Sequence, residues 1–358
     1  MKSNNKGSIL VFILALIVLL SVLCMRLMEE TVQELRHVSQ FHKRDDLRVH
    51  AHSALNLAIG VLNEFSTIEK TLYSPSQGWG DPLSYSGLNA LDPSIKWSIT
   101  LIDESGKASL NSMKEKDLVS LFALMRSDDD SLVNEDDGQP FYDSLIDWQD
   151  ADDEERDEGA EDDYYEDLEF SYFTPGKKIE NFEELRMIKG FGYDEELPDD
   201  SGLFFRKDGS ETIHMKNFRD SFSFFHDGPV NINTASPFLT RFLCGDDDNL
   251  YEELIDGPNS ISGEPFFKSM NNPLLSQMRQ YRSVSTGVTS TILRVLVDVS
   301  KGKANFKLHA ILARTNIKGA APKKNSGNTK LKPRSQQNTR MKLPFRVLAL
   351  RENENLID

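Results

Sequence analysis

A chain of 358 residues exceeds the size at which a single hydrophobic core usually stops growing, so two or more folded units are expected. The formal charge of −16, from 57 acidic against 41 basic side chains, is concentrated mid-chain and disfavours that region as a phosphate-binding or anionic-lipid surface. Hydrophobic residues at 39% and aromatics at 9% exclude global disorder, and two cysteines, Cys24 and Cys244, cannot build a disulfide framework.

The first predicted element is an apolar helix. No residue from Gly7 to Met25 is charged, and about 19 residues at 1.5 Å each cover about 28 Å, enough to span a bilayer. Lys2 and Lys6 precede the run and Arg26, Glu29, Glu30 and Glu34 follow it, which favours a cytoplasmic N-terminus and an exported body. A removable secretory signal would end at an Ala-x-Ala-like site, whereas this run passes straight into a charged helix. Lys6-Gly7-Ser8-Ile9 resembles the type III signal sequence cut by prepilin peptidase. That resemblance implies cleavage between Gly7 and Ser8 and N-methylation of Ser8; an uncleaved signal anchor is the other reading of these residues. Leu47, Ala51, Ala54, Leu55, Ala58, Val61, Leu62 and Phe65 then recur at three- and four-residue steps, predicting one helix from about Ser8 to Leu72.

Ile95 to Ile102 and Lys107 to Leu110 read as two strands joined by a turn at Glu104-Ser105-Gly106. Ser283 to Val299 and Ala304 to Ala313 give two more around Lys301-Gly302-Lys303, and their alternation predicts an antiparallel sheet packed on the long helix. The intervening stretch, about Ser112 to Tyr281, carries helical signals: a helix from Met113 to Met125, and a cap at Ser236 followed by Pro237. Asn316 to Lys342 has almost no large apolar residues and is expected to be a disordered loop, after which Phe345 to Glu352 returns as an edge strand.

Six motifs stand in order along the body: WSITLIDESGK from Trp97 to Lys107, Leu110-Asn111-Ser112, LIDWQDADDE from Leu145 to Glu154, GAEDDYY from Gly159 to Tyr165, ELRMIKGF from Glu184 to Phe191, and VNINTA from Val230 to Ala235. Together they resemble the minor pseudopilin K family of type II secretion systems, also called general secretion pathway protein K. The resemblance implies an α+β, pilin-like fold with a large inserted α-domain. It divides the chain into a leader at 1–7, a transmembrane helix at 8–25, the pilin-like helix and first strands at 26–111, and the insertion at 112–281. The insertion would hold two SAM-like, helix-hairpin-helix-like modules, about 112–228 and 229–281. Sheet strands at 282–314, a basic loop at 315–343 and a closing strand and tail at 344–358 complete it. The implied protein is a single-pass inner-membrane subunit with a periplasmic body that later sits at the pseudopilus tip. Its implied partners are I- and J-type minor pseudopilins, prepilin peptidase and the inner-membrane secretion platform, with no nucleic acid.

One departure from the general pilin pattern is informative. Pilins place a glutamate fifth in the mature chain, where it neutralises a neighbour's amino terminus; here that position is Phe12. An unpaired amine in a bilayer is costly, so a subunit lacking the carboxylate suits an end position.

Asp150 to Glu155 and Glu161 to Asp163 crowd carboxylates beside Trp148, Tyr164 and Tyr165. Close-spaced oxygen ligands suit Ca²⁺, although Glu155 stands where an EF-hand requires glycine. Charge alone reads as a solvated acidic loop, while the family resemblance implies structural calcium, with Asp150, Asp152, Glu161 and Asp162 as candidate ligands.

Two other functions compete. Leu185 to Gly192 resembles a helix-hairpin-helix, so a membrane-anchored DNA-binding protein is the alternative, opposed by Asp194, Glu195, Glu196, Asp199 and Asp200 immediately after it. A minor pilin of a type IV pilus is the other. No HExxH, GxSxG or phosphate-loop pattern occurs, so no enzyme is expected.

Overall fold

The computed structural model describes residues 6–126, 135–192, 202–245, 247–257, 265–315 and 344–353. The expected loop at 316–343, the acidic run at Asp194 to Asp200 and the tail beyond Asn353 lie outside these residues.

Helix α1 runs unbroken from Lys6 to Ile68. Its segment Phe12–Gln33 is long and apolar enough to cross a membrane, and none of it is buried within the molecule. Ser21 and Thr31 donate their hydroxyls to the Ile17 and Leu27 carbonyls one turn back, at 2.8 and 2.7 Å, so an apolar surround leaves neither unbonded.

The later part of α1 has a partner. Leu47, Ala51, Ala54, Leu55, Ala58, Val61 and Leu62 fall on one face and are all buried against an antiparallel sheet. That sheet has the order β1 (Lys96–Asp103), β4 (Ile292–Lys301), β5 (Ala304–Arg314), β6 (Phe345–Glu352). Alternation along the strands turns Leu101, Val295, Val297, Val299, Phe306, Leu308 and Ala310 toward the helix. Three alanines on the helix face allow close approach, and each fully buried leucine or valine adds about 2 kcal/mol of apolar transfer. Strand β6 is tied to α1 at both ends: Phe345 N donates to Asn63 Oδ1 at 3.0 Å, and Arg48 Nε donates to Glu352 Oε1 at 2.8 Å.

The insertion has its own core. After a short helix α2 (Pro82–Ser86) that precedes the sheet, its described residues form α3 (Glu115–Arg126), α4 (Gln139–Gln149), α5 (Asp162–Glu166), α6 (Ile213–Ser221), α7 (Pro237–Cys244), α8 (Asp248–Ile255) and α9 (Pro273–Met278). One apolar cluster reaches from Ala108 to Val288 and includes Phe122, Phe141, Phe191, Phe204, Phe218 and Phe242. It runs through residues on both sides of position 228, and the helix–sheet cluster is separate, so the described residues build two cores. Strand β2 (Val230–Asn231) pairs in parallel with β3 (Thr286–Gly287), bracketing the second part of the insertion.

Two sequence expectations are corrected. Lys107 to Leu110 is not a strand: Asp103 Oδ1 accepts from Ser105 N at 2.9 Å and closes a 3-10 turn at Glu104–Gly106. The chain then makes a single bridge from Ala108 to Phe222 and passes into the insertion instead of folding back. Ser283 to Val299 is not one strand either. Thr286–Gly287 belongs to the small parallel pair, and the main strand starts at Ile292 because Ser290 and Thr291 turn toward Asp103 and Ser105.

Candidate functional site

Helix α4 sets up a carboxylate cluster. Phe141, Leu145 and Trp148 anchor its inner face, and Asp147 on that face has no solvent exposure. Asp147 Oδ2 accepts from the backbone amides of Arg156 at 3.2 Å and Ala160 at 3.0 Å, so the loop after the helix folds over this one oxygen. Gly159 makes that approach feasible, because a Cβ there would stand 1.8 Å from Asp147 Oδ2. Aromatic packing holds the loop: Trp148 meets Tyr165 edge-on at 5.4 Å, Tyr165 stacks on Tyr172 at 5.2 Å, and Lys189 Nζ donates to Gly159 O at 2.9 Å.

The guanidinium of Arg156 bridges two of the acids, with Nε 3.2 Å from Asp147 Oδ1 and Nη2 3.2 Å from Asp150 Oδ2. Glu161 is 5% exposed, and neither of its carboxylate oxygens has a hydrogen-bond partner; Asp150 Oδ1 and Asp147 Oδ1 also lack one. Burial first, and then the charges of Asp147, Asp150, Asp162 and Asp153, push the Glu161 carboxyl up to about 7. Burial likewise raises Asp147 and Asp150 above the usual aspartate range.

Of the four ligands expected from sequence, the structure gathers Asp150 and Glu161 around Asp147. Asp152 is exposed and caps its own turn, accepting from Glu154 N at 3.2 Å. Asp162 Oδ1 accepts from Thr174 N at 2.7 Å and Thr174 Oγ1 at 2.9 Å, which ties down the far side of the loop. Asp147 was absent from the expected set; its only signal was its place one helical turn before Asp150. Among the described residues no three His, Cys, Asp or Glu side chains stand as a ready metal cage. The donor chemistry nonetheless fits a hard cation: all ligating atoms are oxygen, the one guanidinium pairs with only two of the three carboxylates, and four buried oxygens lack hydrogen-bond partners. Asp147, Asp150 and Glu161 are the residues that would hold it.

The other singled-out positions are also placed. Phe12 is 69% exposed on the apolar length of α1. Gly7 and Ser8 lie in the helical backbone of α1. In the hairpin at Leu185 to Gly192, the amides of Phe191 and Gly192 both bond to Ile188 O, at 3.1 and 3.3 Å, and so are not turned out toward a phosphate. His50 packs edge-on against Trp97 and His52 Nε2 lies 3.1 Å from Glu352 Oε1, structural positions on two faces of α1.

A half-exposed apolar helix laid on an antiparallel sheet, with a helical insertion between the first and second strands of that sheet, defines a pilin-like fold carrying an α-domain. Residues 88–196 match the family model of type II secretion system (T2SS) protein K. One chain of the solved GspK-GspI-GspJ complex from the type 2 secretion system of enterotoxigenic Escherichia coli superposes with a TM-score of 0.56 at 14% identity, covering 89% of this chain and 100% of that one. At that identity the likeness is one of fold. No curated protein matches this chain. Over residues 88–196 the chain is similar to the protein K family of type II secretion, the family that the sequence motifs resemble.

Proposed function

We propose that this chain is the minor pseudopilin at the tip of a type II secretion pseudopilus, where it nucleates the filament that drives folded proteins across the outer membrane. Phe12 carries this reading. A subunit without the carboxylate at that position cannot neutralise the amino terminus of a subunit stacked above it, and the bulky insertion between β1 and β4 is too large for a regular shaft. The apolar length of α1 then packs sideways in the bilayer against I- and J-type minor pseudopilins, and later subunits enter below.

In this reading prepilin peptidase cuts between Gly7 and Ser8 and Ser8 is methylated. The N-terminus starts in the cytoplasm, the body projects into the periplasm, and assembly takes place on the inner-membrane secretion platform. Bound Ca²⁺ would neutralise the carboxylates and hold the loop after α4 closed, with Asp147, Asp150 and Glu161 supplying oxygens. Cross-linking in cells tests the placement: contacts are expected only with other minor pseudopilins, and contacts along the whole shaft would overturn it. Intact mass of the membrane-extracted protein tests processing, since a chain still starting at Met1 would end that part of the reading.

A further inference from the structure

The geometry points to Arg156 as an internal competitor for the divalent cation: its guanidinium is the resident counter-ion of Asp147 and Asp150, and the ion binds by displacing it. This inference rests on the calcium reading above and adds what sets the affinity.

Arg156 reaches both acids at 3.2 Å from a single planar fork, as arginine does with paired carboxylates. A calcium ion needs six to eight oxygens at short range and repels a guanidinium, so both cannot hold the same Asp147 and Asp150 oxygens. The arginine satisfies only part of the cluster. Among the described residues no hydrogen bond or ion pair reaches the carboxylate of Glu161, a residue 95% buried whose two side-chain oxygens both lack hydrogen-bond partners. One positive charge paired with two of three clustered carboxylates leaves an excess that a divalent ion matches better than a monovalent one.

Displacement requires no unfolding. The Arg156 side chain is 41% exposed at the rim, whereas Asp147 beneath it is fully enclosed. Arg156 also lines a groove of about 690 Å³ together with Glu115, Asp143, Asp157 and Glu158, which offers the freed guanidinium other carboxylates. Apparent affinity for the ion is then lowered by the fraction of molecules in which the arginine holds the site, and the cluster responds to a calcium-rich medium while ignoring trace ion.

The test uses the full-length protein in detergent, with calorimetric titration of CaCl₂ and thermal midpoints in chelator. Arg156→Gln is expected to bind calcium about tenfold more tightly than the unaltered protein while melting lower in chelator, because the carboxylates then lack their counter-ion. Arg156→Lys keeps the charge but not the fork; it is expected to fall between the two and serves if the glutamine variant folds poorly. Binding by the unaltered protein with equal or weaker binding by both variants overturns the competitor role and leaves the calcium reading standing. No binding by any of the three overturns both, whereas binding by Arg156→Gln alone supports the competitor role in its strongest form.

Discussion

The side-chain amide of Asn231 donates to Oδ2 of Asp103 at 2.8 Å, joining the helical insertion to the end of the first sheet strand. The same oxygen accepts from Thr234 Oγ1 at 2.7 Å and Ser290 Oγ at 2.6 Å, so residues distant in sequence meet on one buried acid. The next residue repeats the device: Glu104, also buried, accepts from Arg294 Nε at 2.6 Å and Ser223 Oγ at 2.5 Å. Motifs resembling those of the K family thus act here as cross-links between the two cores. Gly106 belongs to the same joint, since a Cβ there would stand 2.5 Å from Thr234 O.

Removing the hub should loosen the joint. Asp103→Ala removes the acceptor shared by Ser105, Asn231, Thr234 and Ser290; Asn231 keeps Tyr73 O and Thr234 keeps Asn231 O, whereas Ser105 N and Ser290 Oγ lose their acceptor, at about 1–3 kcal/mol for each group left unsatisfied. Partial relaxation should bring the total to about 3–5 kcal/mol, read as a lower denaturant midpoint of the whole chain. A midpoint unchanged within error would show that the two cores do not depend on this acid.

Gly159→Ala addresses the carboxylate cluster without altering any charge. Its methyl would collide with Asp147 Oδ2, so the loop must lift away and release the amides of Arg156 and Ala160. Thermal melting with calcium and with chelator should then give nearly equal midpoints, both below that of the parent in calcium. A calcium-induced gap as wide as the parent's would refute this.

The pH dependence follows from Glu161, whose folded-state carboxyl titrates at about 7 against an ordinary value of 4.5. The native state therefore holds a proton that the unfolded chain has already released. This contribution is complete below the ordinary value, declines as pH rises, and is gone above about 7. Asp147 and Asp150 are raised too and act in the same sense. Carboxylates depressed by ion pairing, such as Glu352 with Arg48 and His52, lose their contribution only on the acid side, outside this window. In chelator the melting midpoint should fall between about pH 5 and pH 8, and calcium should flatten that fall. A Glu161→Gln protein with the same slope as the parent would assign the effect elsewhere.

Phe12→Glu tests the end-position argument. Phe12 has no tertiary packing to lose, so the folded body and its melting should not change. Restoring the carboxylate should instead permit incorporation below the tip, detected as new cross-links to shaft subunits. An unchanged cross-link pattern would detach tip placement from this residue.

The sequence alone determined the long helix, its membrane-spanning length and its switch to a packed face, because these follow from an uninterrupted apolar run and a three- and four-residue period. It also determined β6, whose Val347, Leu348 and Leu350 stand between a polar stretch and the chain end. It did not determine where strands stop. Ser283 to Val299 is continuous in strand propensity, and only the pull of Asp103 and Ser105 on Ser290 and Thr291 divides it. Residue counting found Asp150 and Glu161 of the carboxylate cluster but not Asp147. Spacing along a loop placed Asp152 and Asp162 beside Asp150 and Glu161, but membership depends on which acids face inward, and α4 buries Asp147 while Asp152 stays in water. Local pattern decides an element; burial decides a site, because a carboxylate becomes a ligand only where folding strips its water and brings other oxygens within reach.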